Sequence, residues 1–128
     1  MKEYIASLFM ACIAVLAPLQ SAMITVGVLI FIDLVLGLIA AKKQQIKIES
    51  RKLKFTAVKM LVYQLLIISA FIAEKYLIDW LPLNKITMAF IAVVEFTSIG
   101  ENFQKITGLP FYQFIKDWLN QKLNKVKE

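Results

Sequence analysis

The sequence predicts an all-α, polytopic integral membrane protein with four transmembrane helices and a C-terminal amphipathic helix. Three observations predict this class. The chain is 59 % hydrophobic, above the roughly 45–50 % apolar content usual for soluble domains, and its mean hydropathy is +0.69. Several apolar stretches approach the length needed to cross a hydrocarbon core about 30 Å thick. Basic segments separate the apolar stretches.

The clearest span is residues 22–41, which form a helix about 30 Å long and contain one charge, Asp33. We predict further spans at residues 4–19, 55–73 and 81–99. Because Pro18 removes a backbone donor and clashes with a preceding helical turn, residues 18–21 are expected to form a tight connection between two crossings. The alternative is one bent segment over residues 4–41, which leaves three crossings. In either case we expect a transmembrane domain over residues 1–108.

Basic residues predict the orientation. The connection over residues 42–54 has one acid, Glu49, and six basic residues: Lys42, Lys43, Lys47, Arg51, Lys52 and Lys54. Short basic loops stay on the cytoplasmic side during insertion, so this connection is expected to be cytoplasmic. Four crossings then place both termini in the cytoplasm, with the first span retained rather than cleaved as a signal peptide.

The composition also argues against several functions. The chain of 128 residues has no histidine and one cysteine, Cys12, so we expect neither a zinc site of the usual kind nor an internal disulfide. The serines lack a histidine base, and no glycine-rich phosphate loop is present; we expect no enzyme and no cofactor. The net charge is +6, and the basic residues that produce it lie between apolar spans. This placement favours an anionic lipid surface over nucleic acid as the partner.

Three charges lie inside the predicted spans: Asp33, Lys59 and Glu95. Ionisable groups in lipid are unfavourable unless they are paired or hydrated. Counting from the basic ends, Lys59 and Glu95 lie at a matching depth of about 7 Å and Asp33 at about 13 Å. Lys59 is expected to pair with Glu95 and is long enough to reach Asp33. The two interpretations are an ion pair that fixes helix packing and the lining of a pore.

Small residues share the face of Asp33. Helical spacing places Gly37, Ala40 and Ala41 on that face, and small residues permit close helix approach in membranes. We therefore expect this face to contact another helix, in the same subunit or in the next.

The last segment, residues 109–128, is amphipathic rather than uniformly apolar. Its apolar residues share about half of a helical projection and include Phe111, Phe114, Ile115, Trp118 and Leu119. Such a helix lies on a membrane surface or docks on a neighbouring subunit. A plain packed cytoplasmic helix is the remaining alternative.

The polar residues occur in an order that resembles a known family. The segments DLVLG at residues 33–37, IES at 48–50 and Lys59 resemble the front half of the toxin-secretion/phage-lysis holins. The segments EFTSIGEN at residues 95–102 and GLP at 108–110 resemble the closing motif of that family. The further polar residues of these motifs are Ser50, Ser98, Glu101 and Asn102.

The resemblance implies a small phage or prophage protein of the bacterial cytoplasmic membrane. It would form a homo-oligomer and open a lesion through which an endolysin or a toxin crosses. The charges inside the spans would be paired in the closed assembly and exposed to water in the open one. Two other classes are alternatives. One is a small four-span transporter of the drug-exporter kind; those transporters resemble one another in a glutamate on the first span, whereas the first span of this chain is uncharged. The other is a structural membrane subunit of a secretion or defence complex.

Overall fold

A computed structural model describes residues 1–127 of the chain. The elements are five α-helices and one 3₁₀ turn: α1 (Lys2–Leu16), the turn (Ala17–Leu19), α2 (Gln20–Lys43), α3 (Ser50–Tyr76), α4 (Leu83–Thr107) and α5 (Phe111–Lys127). No strand occurs among the described residues. The predicted all-α class is confirmed.

Three helical segments are long and apolar enough to cross a membrane: Lys2–Lys43, Ser50–Tyr76 and Leu83–Thr107. The chain does not reverse at residues 18–21, because Ala17 and Gln20 both have right-handed helical dihedrals. Pro18 lies at the start of the 3₁₀ turn, where its missing N–H is tolerated. The tight connection predicted there is therefore wrong, and the structure has the helices of the three-crossing alternative.

Helices α2, α3 and α4 form a three-helix bundle. Asp33 lies beside Asn102, and the Lys43 ammonium donates to the carbonyl of Ile106, so α2 and α4 run parallel. Along α3, Lys59 contacts Asp33 and Gln64 contacts Met23, so α3 runs antiparallel to both. The bundle has a small buried core: Leu19, Val26, Ile30, Ile67 and Ile91. Most other apolar side chains are exposed, and α1 has no buried residue.

The helix ends are specified locally. After α2, Ile46 N–H donates to the Ala41 carbonyl and Gln45 N–H to the Lys42 carbonyl, and Gln45 has a positive φ of 56°, the pattern of a Schellman motif. The Glu74 carboxylate accepts from Asn84 N–H at 2.7 Å and so satisfies one free donor at the start of α4. Gly108 ends α4 with φ 72°, which glycine adopts without a steric penalty.

Helix continuity through Pro18 can be measured with spin labels at Leu8 and Phe31, both exposed, in a Cys12→Ala background. A continuous helix separates these positions by about 35 Å, given a rise of 1.5 Å per residue. An antiparallel hairpin with its turn at residues 18–21 would bring the two helix axes to about 10 Å. Double electron–electron resonance in nanodiscs should give the longer distance, and a dominant short distance would contradict the fold.

Candidate functional site

The candidate site is a charge cluster in which Lys59 of α3 bridges two acids. Its Nζ lies 3.1 Å from Asp33 Oδ2 of α2 and 2.9 Å from Glu95 Oε2 of α4. One ammonium therefore connects all three helices of the bundle. With all three groups ionised, two carboxylates share one positive charge, so the cluster has one negative charge in excess.

Polar side chains of α4 satisfy the second oxygen of Asp33. Ser98 Oγ donates to Asp33 Oδ1 at 2.7 Å, and Asn102 Nδ2 donates to the same atom at 2.9 Å. Hydrogen bonds to a charged acceptor are stronger than neutral ones. The Asp33 carboxylate is thus held by α3 through one oxygen and by α4 through the other.

Glu95 is the most deeply buried charged residue of the cluster. It is 0 % exposed, whereas the side chains of Lys59 and Asp33 are 17 % and 13 % exposed. Among the described residues, Glu95 Oε1 has no hydrogen-bond partner. The Tyr63 hydroxyl of α3 is a further polar neighbour of this carboxylate.

Helical periodicity and small residues bring the cluster together. Glu95, Ser98 and Asn102 recur at three- and four-residue intervals, which places them on one face of α4. Opposite them, Ala40 and Ala41 of α2 are buried. A Cβ added at Gly37 would lie 3.5 Å from Asn102 Nδ2, so the small face predicted around Asp33 contacts α4 of the same chain.

A cleft of about 500 Å³, with both polar and apolar walls, leads to the cluster. It opens at the basic end of the bundle, which we define as the end formed by the last turn of α2, the first turn of α3 and the last turn of α4. Its walls include Asp33, Lys59, Ser98 and Asn102 at the inner end and Arg51, Lys52 and Lys105 near the mouth. The cleft therefore reaches Asp33 and Lys59 from one end of the bundle.

The remaining predicted residues lie outside the cluster. The six basic residues of 42–54 are exposed at the basic end. Ser50 is the first residue of α3, and Glu101 is exposed on α4. In α5, Phe111 and Ile115 are partly buried, whereas Phe114, Trp118 and Leu119 are exposed.

Sequence reasoning missed several polar and packing residues. Gln64 of α3 donates to the Met23 carbonyl at 3.2 Å. Its side-chain amide inside an apolar span is the sequence signal that could have identified this contact. Tyr63 follows Lys59 by one turn and packs against the buried core. Gly100 contacts Phe111: an added Cβ would lie 3.3 Å from the Phe111 ring. No local pattern connects these last two residues.

Within the described part of the chain, no group of histidine, cysteine, aspartate and glutamate side chains is arranged to hold a metal ion. The cluster's chemistry is that of hydrogen bonding and charge pairing. In the packed bundle, Lys59 is paired with both acids, and Asp33 also accepts from Ser98 and Asn102.

Comparison with known proteins identifies one family. A sequence model described as the bacteriophage holin family matches residues 10–124, which includes all three helices of the bundle and most of α5. No curated protein and no solved structure matches the chain.

Replacing Lys59 with Met should destabilise the bundle by about 3–5 kcal/mol, because removing one partner leaves buried charge uncompensated. Lys54→Met, an exposed position on the same helix, is the matched control and should change stability little. Denaturant unfolding in detergent, followed by circular dichroism, measures both. The triple variant Asp33→Asn, Lys59→Met, Glu95→Gln should recover most of the loss. Equal stability of Lys59→Met and Lys54→Met would show that the bridge does not stabilise the bundle.

Proposed function

The chain belongs to the bacteriophage holin family, and from this premise we propose that it accumulates in the bacterial cytoplasmic membrane, oligomerises and forms a lesion. The lesion releases an endolysin or a toxin from the cytoplasm. The observation that carries the proposal is the Lys59 bridge between Asp33 and Glu95. Charged groups inside spanning helices are unfavourable in lipid and mark functional positions.

The cluster supports a two-state mechanism. In the closed state, Lys59, Asp33 and Glu95 satisfy one another between three helices. If the helices of neighbouring copies rearrange, the same groups can face water and line an opening, so neither state leaves the charges in hydrocarbon. The cleft reaches one side of the cluster from the basic end of the bundle.

The length of the first helical segment supports oligomerisation. Residues 2–43 form 42 residues of continuous helix, about 63 Å long, roughly twice the thickness of the hydrocarbon core. The apolar side chains of α1 are exposed, among them Tyr4, Leu8 and Phe9. One bilayer cannot cover the whole segment. We therefore expect the apolar side chains that remain outside the bilayer to contact other copies of the chain.

Three crossings change the predicted orientation of one terminus. The expectation that both termini are cytoplasmic required a reversal at residues 18–21, which the fold lacks. With the basic loop after α2 in the cytoplasm, the C-terminal helix is also cytoplasmic and the N-terminus lies outside.

This topology can be tested with single cysteines at Lys2, Gln45, Asp79 and Gln121 in a Cys12→Ala background. A membrane-impermeant maleimide applied to intact spheroplasts should label positions 2 and 79. Positions 45 and 121 should react only after permeabilisation. Labelling of position 45 in intact cells would overturn the orientation, and protection of position 2 would restore a fourth crossing.

The lesion itself can be tested by inducing the chain in bacteria with a cytoplasmic endolysin reporter. Membrane potential should collapse abruptly, and the reporter should reach the cell wall. Substrate-specific efflux without collapse would indicate the transporter alternative, and neither response would indicate a structural subunit.

Asp33→Asn should bring the onset of collapse forward, because loss of a charge-assisted hydrogen bond weakens the closed state by about 1.5–3 kcal/mol. Asp79→Asn makes the same chemical change in the exposed loop after α3 and should leave the timing unaltered. Onset is measured with a potential-sensitive dye at equal membrane levels of each variant. Identical timing of Asp33→Asn and the parent chain would remove Asp33 from the mechanism.

A further inference from the structure

A second cavity, distinct from the charge cluster, lies between α4 and α5. Its volume is about 520 Å³, within the range of roughly 300–1,000 Å³ typical of ligand sites. Its walls are mostly apolar and include Leu29, Ala92, Val93, Phe96, Ile115 and Leu119. We call this cavity the α4–α5 groove.

The start of α5 closes one end of the groove. The Phe111 ring packs edge-on against Phe96 and Phe103, with centroids 6.2 and 5.6 Å apart. Gly100 makes room for that ring, since an added Cβ would lie 3.3 Å from it. Gly108, in the left-handed conformation, turns the chain so that α5 comes back beside α4. These contacts therefore fix the position of α5 relative to α4 at one end of the groove.

The position of the groove determines which molecules can reach it. Ala92, Val93 and Phe96 belong to α4, one of the three helices suited to cross the membrane. In a bilayer such a helix is surrounded by lipid acyl chains, so lipids are the molecules that can reach an apolar groove on it.

Charge at the edge of the groove selects the kind of lipid. Lys116 lines the groove and is exposed, and α5 carries three further basic residues, Lys122, Lys125 and Lys127. A lysine ammonium close to a membrane surface favours anionic lipid by about 1 kcal/mol. The groove thus combines an apolar cavity with one cationic side chain, Lys116, at its edge, which matches the two parts of an anionic phospholipid.

We propose that the α4–α5 groove binds one anionic phospholipid, with an acyl chain between α4 and α5 and the phosphate at Lys116. Such a lipid would hold α5 against α4. The proposal requires only that α4 crosses a bilayer, and it stands or falls independently of lesion formation.

Trp118 of α5 provides the reporter, in a Trp80→Phe background that removes the other tryptophan. The protein is reconstituted into phosphatidylcholine vesicles containing a minor fraction of brominated lipid, either phosphatidylglycerol or phosphatidylcholine. Bromine quenches a nearby tryptophan. From the concentration dependence of quenching, the anionic lipid should bind about fivefold more tightly than the zwitterionic one.

Lys116→Gln should abolish this preference, while Lys125→Gln, on the same helix but outside the groove lining, should retain it. Val93→Phe, at a position 66 % exposed, fills the groove and should reduce quenching by both lipids. Circular dichroism and gel filtration identify any variant that does not fold. If Val93→Phe does not fold, the comparison of Lys116→Gln with Lys125→Gln tests the proposal.

Equal quenching by the two lipids in the parent chain would overturn the proposal, because it would indicate ordinary surrounding lipid. Equal effects of Lys116→Gln and Lys125→Gln would also overturn it, since they would indicate attraction of the whole helix to an anionic surface. Quenching unchanged by a folded Val93→Phe would show that no lipid occupies the groove.

Discussion

The arrangement of the bundle depends on one ammonium group held between two carboxylates. In lipid, helices gain little from burying apolar surface against one another, because the surrounding acyl chains are equally apolar. The buried core contains only five apolar residues, so packing alone specifies few positions. Lys59 contacts α2 through Asp33 and α4 through Glu95, and only a narrow range of helix rotations and heights satisfies both contacts. The cluster therefore fixes the register of all three helices.

Small residues make this geometry attainable. Gly37, Ala40 and Ala41 let α2 approach α4 closely enough for Asp33 to accept from Ser98 and Asn102. Gly100 has the corresponding role on the opposite side of α4, where it receives the ring of Phe111. Helix α4 is thus in contact with α2, α3 and α5, and a displacement of α4 would disturb the charge cluster and the α4–α5 groove together.

The cluster lies between a cleft and the apolar core. The cleft reaches Asp33 and Lys59 from the basic end, whereas Ile67 and Ile91, both fully buried, lie further along α3 and α4 toward the other end. The charges therefore lie at the inner end of the cleft, and hydrocarbon side chains pack beyond them. For a member of the bacteriophage holin family, this places the polar groups where a separation of helices would extend an existing cleft.

Local properties of the sequence were sufficient to predict the all-α class, the apolar stretches and the three charges within them, because hydropathy and charge can be counted along the chain. The common depth of Lys59 and Glu95 followed from helical rise alone. The continuity of the helix through Pro18 could not be predicted from the sequence, since proline is compatible both with a turn and with the start of a helical segment. Only the tertiary structure decided that one lysine serves both acids and that Gly100 receives Phe111, because these contacts depend on how helices rotate and approach, and that is set by residues far apart in the chain.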